Sequence, residues 1–395
     1  MTEAGLDPTE LLFAPSTAND PREAYRTLRE RCPVAQGSMG AYVSRFEDVA
    51  WALRHPEVFS SEAAALDIGQ EQPLIPLQVD PPLHTQYRRL LNPWFTPKKV
   101  AELEPDVRVL VRRLIDAFAP RGECDFHEEY ATPLPSTIFL RLMGLPQSDL
   151  PTFLRWRDNV IRPDVDPHDL ETAALIRKQT GEEISSYFEE ALEAARRQPG
   201  DGLLGLLVSA EMDGRRLSRE ELLGMCHLLL LGGLDTVTAT LDCMIAYLAT
   251  HPEHRRAIVA DPSLIGPAVE ELLRRESPVQ VVPRVVRQDI TLRGVELREG
   301  QLVSLVIGAA NHDEEEFSDP DEVVLGRDGN RHVAFGGGHH FCLGAHLARL
   351  ELRVGLEEFH RRIPEYRIPE GTRLQYSPGI RQAESLPLVF SPEGT

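Results

Sequence analysis

The strongest indication of the fold of this chain is the segment Phe335-Gly-Gly-Gly-His-His-Phe-Cys-Leu-Gly344. Three consecutive glycines allow a tight turn and a close approach to a flat partner, because a residue without Cβ can adopt positive φ. A single cysteine, Cys342, follows them, and apolar residues then recur at helical spacing over 345–359. The pattern places the cysteine where a loop enters a helix. Unpaired amide N–H groups at a helix start favour a thiolate over a thiol.

The spacing Phe-x-x-Gly-x-x-x-Cys-x-Gly is filled here by Phe335, Gly338, Cys342 and Gly344. It resembles the haem-ligand loop of the cytochrome P450 monooxygenases. The resemblance implies that all four residues bind the cofactor and that the Cys342 thiolate is the iron ligand, as is typical of this family. It also implies that His340 contacts a haem propionate. It assigns no role to His339, which we predict to be a surface or packing residue.

Composition limits the class of protein and its partners. The five cysteines of this 395-residue chain are widely scattered, which is not a disulfide framework and fits a reducing cytosol. The formal charge of −20 argues against nucleic acid or an anionic membrane as a partner. Met1–Glu10 has no basic region followed by an apolar core, so we expect neither a signal peptide nor a membrane anchor. We therefore predict a cytoplasmic protein with a single domain over 1–395.

A capping box, Ser218-Arg-Glu-Glu221, predicts the start of a long helix that runs to about Thr250. Inside it lies Leu231-Gly-Gly-Leu-Asp-Thr236. Glycine in a helix interior costs roughly 1 kcal/mol relative to alanine, so the pair indicates either close approach of a planar group or tight helix packing. The stretch ends with an acid and a hydroxyl, Asp235 and Thr236. They favour a catalytic role over simple helix packing, because a buried acid beside a hydroxyl can relay protons.

The same stretch is similar to the Gly-x-Asp/Glu-Thr segment of the cytochrome P450 family. Its sequence Gly-Gly-Leu-Asp-Thr is especially similar to that of the bacterial camphor monooxygenase. The resemblance implies that Asp235 and Thr236 are catalytic and deliver the protons that cleavage of dioxygen requires. A peroxide-driven variant is expected to lose this pair, so its presence argues against that variant.

Two further segments resemble the family's propionate-binding positions. Asp80-Pro-Pro-Leu-His-Thr-Gln-Tyr-Arg88 places His84 and Arg88 four apart on one helical face, which from these residues alone would be a solvated basic face. The resemblance implies instead that both contact haem. Arg284, toward the end of a predicted strand over 277–286, resembles the second propionate-binding arginine.

The predicted helix Pro267–Glu276 contains Glu271 and Arg274, which are three residues apart and so neighbours on one face. On a surface such a pair contributes little. The Glu-x-x-Arg spacing resembles the characteristic structural pair of the family, and the resemblance implies a third member, for which Arg327 is the candidate.

The resemblance implies a substrate pocket with six small or apolar positions: Leu228, Leu231, Gly232, Val281, Val282 and Ile380. These residues favour a hydrophobic molecule. The likeness of Gly232–Thr236 to the camphor monooxygenase points to a terpenoid, with steroid, fatty acid, polyketide-like and aromatic substrates as the alternatives. Residues 56–79 are rich in small and apolar side chains and contain two prolines, so they predict a mobile loop. The resemblance places that loop over the substrate pocket.

The implied fold is mainly α with a smaller β-rich region, with haem b between the long central helix and the cysteine loop. The implied activity is insertion of one oxygen atom of O2 into a hydrophobic small molecule. The chain has no motif for a flavin or iron–sulfur domain, so electrons from NAD(P)H are expected to arrive through a separate ferredoxin reductase and ferredoxin. Candidate basic contacts for the ferredoxin are Arg88, Arg112, Arg113 and Arg349.

Two alternatives belong to other classes of protein. A haem-based ligand-binding or sensing protein without turnover would show gas affinity but no substrate-dependent consumption of NAD(P)H. The proton-relay pair argues against it. A cysteine hydrolase would use Cys342 with His339 or His340, but histidines this close in sequence do not easily reach back to that sulfur.

Overall fold

The computed structural model describes residues 7–62, 69–166 and 169–392. The expectation about the N-terminal segment falls partly outside this range, as does the expectation of mobility for the middle of the loop 56–79. The described residues form these helices: α1 (Pro8–Phe13), α2 (Pro15–Asn19), α3 (Arg22–Arg31), α4 (Phe46–Ala52), α5 (Leu83–Leu91), α6 (Pro97–Ala101), α7 (Glu104–Phe118), α8 (Pro133–Met143), α9 (Leu150–Ile161), α10 (Leu170–Arg197), α11 (Leu203–Ser209), α12 (Arg219–Leu234), α13 (Thr236–Thr250), α14 (Pro252–Ala260), α15 (Ile265–Glu276), α16 (Ile307–Ala310) and α17 (Ala345–Arg362).

The strands are short and lie mostly in the two terminal parts of the chain. They are β1 (Val34–Gly37), β2 (Gly40–Val43), β3 (Phe59–Ser60), β4 (Glu123–Asp125), β5 (Glu211–Met212), β6 (Arg215–Arg216), β7 (Val282–Val286), β8 (Ile290–Leu292), β9 (Val295–Leu297), β10 (Leu302–Leu305), β11 (Tyr366–Arg367), β12 (Tyr376–Ser377), β13 (Gln382–Ala383) and β14 (Pro387–Phe390). The predicted fold class, mainly α with a smaller β-rich region, is confirmed.

Tertiary contacts divide the chain into two compact units. The first unit contains residues 7–60, 100–134 and 236–392, and the second contains 61–99 and 135–235 of the described residues. Cys342, Arg284 and Glu271 therefore belong to the first unit. His84 and Asp235 belong to the second. The single-domain expectation for 1–395 stays a prediction.

A five-stranded sheet in the order β1-β2-β10-β7-β3 organises the first unit. Strand β10 pairs in parallel with β2, Val303 opposite Ala41, and antiparallel with β7, Val303 opposite Arg284. Alternate residues of these strands point to one side, where Ala41, Val43 and Val303 are buried in an apolar cluster. The sheet thereby positions β7, which carries Val282 and Arg284.

Helix α17 follows the cysteine loop and packs on α7, α13 and α15 in the first unit. Its apolar face is buried, including Leu350, Leu352, Leu356 and Phe359. Phe359 meets Phe126 with ring centroids 5.2 Å apart. The buried face fixes the helix direction, and with it the position of the loop that enters its first turn.

The second unit is built from helices α9, α10 and α12, which pack on one another, with the β5–β6 hairpin before α12. The predicted capping box is present: Glu221 N–H donates to Ser218 Oγ at 3.2 Å, and the Glu221 carboxylate accepts from Ser218 N–H at 2.6 Å. These two bonds satisfy amides that have no partner inside a helix start, so α12 begins at Arg219.

The prediction of one continuous helix up to Thr250 is wrong at a single residue. Helix α12 ends at Leu234, α13 begins at Thr236, and Asp235 between them has φ −116° and ψ −39°. Breaks of this kind occur where glycines weaken a helix, and two glycines precede Asp235 here. Asp235 therefore lies where the helix is interrupted between α12 and α13.

One helical stretch, Arg219–Thr250, is long and apolar enough to cross a membrane by length and composition. However, 67% of its most apolar window is buried within the protein. The core helices of water-soluble proteins show the same combination, so the stretch is weak evidence for a membrane span.

Candidate active site

The cysteine loop turns tightly at its glycines. Gly336 has φ +71° and Gly338 has φ +61°, values in the left-handed region that favour glycine. A Cβ at Gly338 would lie 2.4 Å from the backbone oxygen of Leu53, so the loop also needs glycine there for space. The turn is closed by Cys342 N–H, which donates to the Phe335 carbonyl at 2.9 Å. These contacts hold residues 335–342 in one compact hairpin-like loop.

Cys342 is exposed, whereas the other four cysteines are buried or partly buried. Gly344 is the N-cap of α17, and no side chain caps that helix. Beyond its chain neighbours, Gly344 has no described atom within 4 Å of the position that a Cβ would take. The thiol is thus presented at an uncapped helix start with room beside the backbone, where the amide dipoles favour an anion.

Phe335 is held by an ion pair that sequence reasoning missed. The Arg349 guanidinium lies over the Phe335 ring, 4.4 Å from its centroid. Its Nε and Nη2 each donate to the Glu270 carboxylate at 2.7 Å. His332 Nε2 lies 3.2 Å from the same carboxylate. Arg349 therefore supports the cysteine loop and has a carboxylate partner within the protein.

Two histidines of the loop and the β7 arginine differ in exposure. His339 is exposed and His340 is partly buried. Arg284 is only 6% exposed, and its Nη1 donates to the Pro283 carbonyl at 2.7 Å. A buried guanidinium suits a carboxylate partner, because charged side chains are seldom buried without one. The predicted propionate contacts of His340 and Arg284 stay predictions.

Helix α5 carries His84 and Arg88. His84 is 2% exposed, and its backbone N–H donates to the Asp80 carbonyl at 3.0 Å in the first turn. Arg88 lies one turn later, and its Nε donates to Asn92 Oδ1 at 3.0 Å. Their predicted role at the haem propionates stays a prediction.

The same helix is tied to the start of α12 through Glu221. The Tyr87 hydroxyl donates to Glu221 Oε1 at 2.7 Å, and Arg215 donates to both carboxylate oxygens at 2.7 and 2.8 Å. Hydrogen bonding to Arg215 is the largest influence that lowers the pKa of Glu221 to about 2. One carboxylate therefore caps α12 and positions the helix that carries His84.

We expect Glu221→Gln to lower the free energy of unfolding at neutral pH by about 1.5–3 kcal/mol, the usual range for hydrogen bonds to charged groups. Because the pKa of Glu221 falls from 4.5 to about 2 on folding, its contribution is complete above pH 4.5 and disappears as the pH falls toward 2. The variant should therefore lose less stability across that window. Urea denaturation at several pH values measures both effects.

Glu220→Gln is the matched control, because this neighbouring side chain is 61% exposed. We expect it to change the free energy of unfolding by about 0.5 kcal/mol or less. An unchanged pH dependence in Glu221→Gln would contradict the role assigned to this carboxylate.

Asp235 is fully buried and is held by an arginine that sequence reasoning did not identify. Arg162, just after α9, donates from Nη2 to Asp235 Oδ1 at 2.6 Å and from Nη1 to Oδ2 at 3.1 Å. A second arginine, the buried Arg157, places Nε 3.9 Å from Oδ1. The only sequence signal was an arginine before Pro163 at the end of an amphipathic helix, which does not identify its partner. The acid is therefore paired with a cation in the second unit.

Three predicted pocket residues lie on α12. Leu228 and Leu231 are partly buried and Gly232 is exposed, although most of this helix is buried. Apart from its own helix backbone and chain neighbours, Gly232 has no described atom within 4 Å of a Cβ position. Leu228 and Gly232 are four apart and so share one face. We call Gly224, Leu228 and Gly232, at successive intervals of four, the α12 stripe.

The other three predicted pocket residues lie in the first unit. Val281 and Val282 are partly buried. Ile380 pairs with Val279 in an isolated antiparallel bridge, and Arg381 N–H donates to the Pro278 carbonyl at 2.8 Å. The structure thus brings the segment before β7 next to the segment around Ile380. Assignment of these residues to a substrate pocket stays a prediction.

Glu271, Arg274 and Arg327 are brought together in the first unit. Arg274 donates from Nε and Nη2 to the Glu271 carboxylate at 2.9 Å each, and both side chains are fully buried. Arg327 Nε donates to the same carboxylate at 3.0 Å. Burial alone would raise the pKa of Glu271. The hydrogen bonds and charge of Arg274, then the Val324 backbone N–H, then Arg327, lower it.

Comparison with known proteins identifies the class. The family profile described as Cytochrome P450 matches residues 149–261 and 263–376. The chain is 36% identical over 376 residues to a steroid C26-monooxygenase of Mycolicibacterium smegmatis, covering 94% of this chain and 93% of that protein. It is 35% identical to Cytochrome P450 107B1 of Saccharopolyspora erythraea, covering 97% and 98%.

Solved structures agree with these matches. CYP109E1 of Bacillus megaterium, determined in complex with testosterone, superposes with a TM-score of 0.89 at 29% identity, covering 96% of this chain and all of that one. A mutant of P450 EryK in complex with erythromycin B gives a TM-score of 0.87 at 32% identity, covering 96% and 99%. The chain belongs to the cytochrome P450 family, and it is a haem-dependent monooxygenase.

The family cofactor is haem b, with reducing equivalents from NAD(P)H supplied through redox partners. The residues present fit such a group. Cys342 offers an exposed thiol, a donor that becomes a good iron ligand as the thiolate. Gly344, in the same unit as Cys342, leaves room beside the backbone for a flat molecule. The buried Arg284 offers a guanidinium that suits a carboxylate.

Proposed function

We propose that this enzyme inserts one oxygen atom of O2 into a hydrophobic small molecule, and that a steroid is the first substrate class to test. The observation that carries the reaction type is the buried Asp235, paired with Arg162 and adjacent in sequence to Thr236. The steroid class is supported by the relatives, which include a steroid C26-monooxygenase and a protein solved with testosterone. Nothing in these comparisons supports a sensing role without turnover.

In this proposal the Cys342 thiolate would hold the haem iron, and Phe335, Gly338 and Gly344 shape the loop around that cysteine. The carboxylates of the cofactor would be held by basic residues. The candidates in the first unit are Arg284 and His340, and the candidates in the second unit are His84 and Arg88. When bound, thiolate-ligated haem supplies reductive activation of dioxygen. The remaining task of the protein is to deliver protons, to exclude water and to orient the substrate.

Asp235 and Thr236 are the proposed proton-delivery pair. The Asp235 carboxylate is fully buried, so it exchanges protons with water only through a neighbouring group. To hold a proton at Oδ1, it must give up the 2.6 Å bond from Arg162 Nη2. The Arg162 side chain is 25% exposed, so it can turn toward solvent and let a proton from water reach Asp235. Asp235 then gives this proton to the Thr236 oxygen while the Thr236 hydroxyl releases its own proton to the reacting group. Arg162 is then a positioning residue that sets how often the acid is available.

The proposed substrate contacts are the partly exposed apolar residues described above. An apolar face of this kind binds by burial of hydrocarbon surface, with about 25 cal/mol gained per Å² removed from water. The proposed contacts of the second unit are Leu228, Leu231 and Gly232, all on α12. The proposed contacts of the first unit are Val281, Val282 and Ile380. A rigid, flat, apolar molecule such as a steroid suits glycine and branched aliphatic side chains.

The proposed redox partners are a ferredoxin and its reductase in the cytoplasm. Two of the candidate docking arginines already have carboxylate partners: Arg112 donates to Glu358 at 2.8 Å, and Arg349 is paired with Glu270. These pairs reduce the positive charge that either residue offers to an acidic partner. Arg113 is exposed, and among the candidates of the first unit it is the one we propose for docking.

The test of the proton-delivery role is Asp235→Asn. We expect product formation to fall about 100-fold, at the lower end of the range for loss of a general acid or base. Consumption of NAD(P)H should fall less, so the fraction of electrons lost as peroxide should rise. The measurement is the ratio of product to NAD(P)H consumed, with hydrogen peroxide determined in parallel.

Asp158→Asn is the matched control. This carboxylate contacts the same arginines, at 2.7 Å from Arg157 and 3.7 Å from Arg162, but it is 49% exposed. Its pairs are of the surface type that contributes little, so we expect nearly unchanged coupling. If Asp235→Asn kept the coupling of the control, the proposed role of Asp235 would be wrong.

The substrate class is tested by titrating the resting enzyme with steroids, terpenoids, fatty acids and macrolides while following the spin-state change in the Soret band. We expect steroids to give the tightest response and to be oxidised in a reconstituted system. A response confined to another class would replace the steroid proposal and leave the reaction type intact.

A further inference from the structure

Two helix-interior glycines of the second unit, Gly181 on α10 and Gly224 on α12, are each in contact with the backbone of one loop. A Cβ at Gly181 would lie 2.0 Å from the carbonyl oxygen of Gly69, and a Cβ at Gly224 would lie 2.3 Å from the carbonyl oxygen of Pro73. Real Cβ atoms do not approach backbone oxygens this closely, so any other residue at either position must displace the loop. Each glycine costs its helix roughly 1 kcal/mol relative to alanine, which indicates that the contact requires it.

The loop, residues 69–79, is anchored at both points. Gly69 has φ +88°, and a Cβ there would lie 2.1 Å from the Arg177 carbonyl of α10, so the contact is backbone against backbone on both sides. On α12, Ile75 N–H donates to the Gly224 carbonyl at 3.3 Å. Leu74 and Ile75 are 0% and 7% exposed. The loop contains no helix or strand, yet its middle is packed.

The two glycines lie where α10 and α12 face each other. Ser185, one turn after Gly181, places Oγ 3.3 Å from Nε2 of His227, which is three residues after Gly224. Both side chains are buried, and burial lowers the pKa of His227 to about 4, so it is neutral at physiological pH. The loop therefore covers the junction of the two helices next to this bond.

Gly224 is also the first member of the α12 stripe. Leu228 and Gly232 follow it at intervals of four and lie on the same face. Both are incompletely buried, whereas Gly224 is buried, with Pro73 and Ile75 against it. The loop therefore covers the N-terminal member of the stripe, Gly224, and leaves Leu228 and Gly232 accessible.

We propose that Gly181 and Gly224 determine substrate selectivity by seating residues 69–79 against α10 and α12, which closes one end of the proposed substrate site. The inference rests on the proposed function for the identity of the α12 stripe as substrate-binding. The packing of residues 69–79 against α10 and α12 does not depend on the proposed function. With both glycines present, the loop sets the length of apolar surface that a substrate can cover along α12.

The test uses the haem-loaded enzyme and the variants Gly181→Ala and Gly224→Ala. Hydrogen exchange of the amides of residues 69–79, measured by mass spectrometry, should become about tenfold faster or more in both, because a displaced loop loses its local protection. Spin-state titration should show weaker binding of small ligands and a smaller penalty for ligands longer than the wild type accepts.

Gly266→Ala is the matched control. Gly266 is also inside a helix, α15, but no described atom outside its own helix backbone and chain neighbours lies within 4 Å of its Cβ position. It should leave exchange of residues 69–79 unchanged. Ile75→Ala removes an anchor from the loop side without altering either helix, and it should also accelerate exchange. This variant keeps the test decisive if a glycine variant does not fold.

The outcomes separate the inference from the proposed function. Exchange equal to that of Gly266→Ala in all three variants would overturn the seating. Faster exchange with unchanged ligand selectivity would overturn the role in selectivity. If the wild type oxidised no hydrophobic substrate, the proposed function would fail and the role in selectivity would fail with it, while the exchange result would still decide the seating.

Discussion

We expect the dithionite-reduced wild type to show a red-shifted Soret band with carbon monoxide, and Cys342→Ser to abolish it. The thiol is exposed at the uncapped start of α17, and its loop is held by the bond from Cys342 N–H to the Phe335 carbonyl. That backbone bond does not involve the side chain, so serine should preserve the loop and remove only the sulfur. Changes in the surroundings of a metal ligand typically cost about 10- to 100-fold, so loss of the ligand should lower product formation by more than about 100-fold.

Cys32→Ser is the control for this variant, since Cys32 is partly exposed and is not part of the loop. It should keep both the spectrum and the activity. A Cys342→Ser protein that still gave the red-shifted band would show that another residue is the ligand. Absence of haem from the purified wild type would contradict the assignment of the whole site and would revive the cysteine-hydrolase alternative.

The parts of the fold that were predictable from the sequence depend on residues close together in the chain. The capping box joins Ser218 and Glu221, three residues apart, and the structure contains both of its hydrogen bonds. The cysteine loop is ten residues long, and two of its glycines, Gly336 and Gly338, have positive φ. Such patterns are local, because helix and turn geometry fixes which near neighbours can meet.

The contacts that the sequence did not reveal join distant residues. Arg162 and Asp235 are 73 residues apart, and Glu270 and Arg349 are 79 apart. An arginine in a polar segment has many possible carboxylate partners, and this chain has 62 acidic residues. Only tertiary packing selects one of them. The break at Asp235 was missed for the same reason, since local pattern alone predicts that α12 continues.

Glu271→Gln is expected to have the largest effect on stability. It leaves the buried guanidinium of Arg274, which is 0% exposed, facing a neutral amide in place of a carboxylate. Removing one partner of a buried ion pair typically costs about 3–5 kcal/mol, because the remaining charge is uncompensated. Arg327 and the Val324 and Asn330 N–H groups also donate to this carboxylate, so their bonds weaken as well. Urea denaturation of the haem-loaded protein measures the loss.

Glu270→Gln is the matched control, one residue earlier on the same helix. Its carboxylate pairs with Arg349, but the two side chains are 31% and 33% exposed, so water compensates part of the loss and we expect about 0–1 kcal/mol. If the two variants were equally stable, the Glu271 carboxylate would not be the residue that holds this region together. The lowered pKa of Glu271 adds a second criterion. Its stabilising contribution is present above the ordinary pKa of 4.5 and is lost as the pH falls through the lower folded value. Glu271→Gln should therefore lose less stability than the wild type on acidification, because the group that titrates is gone.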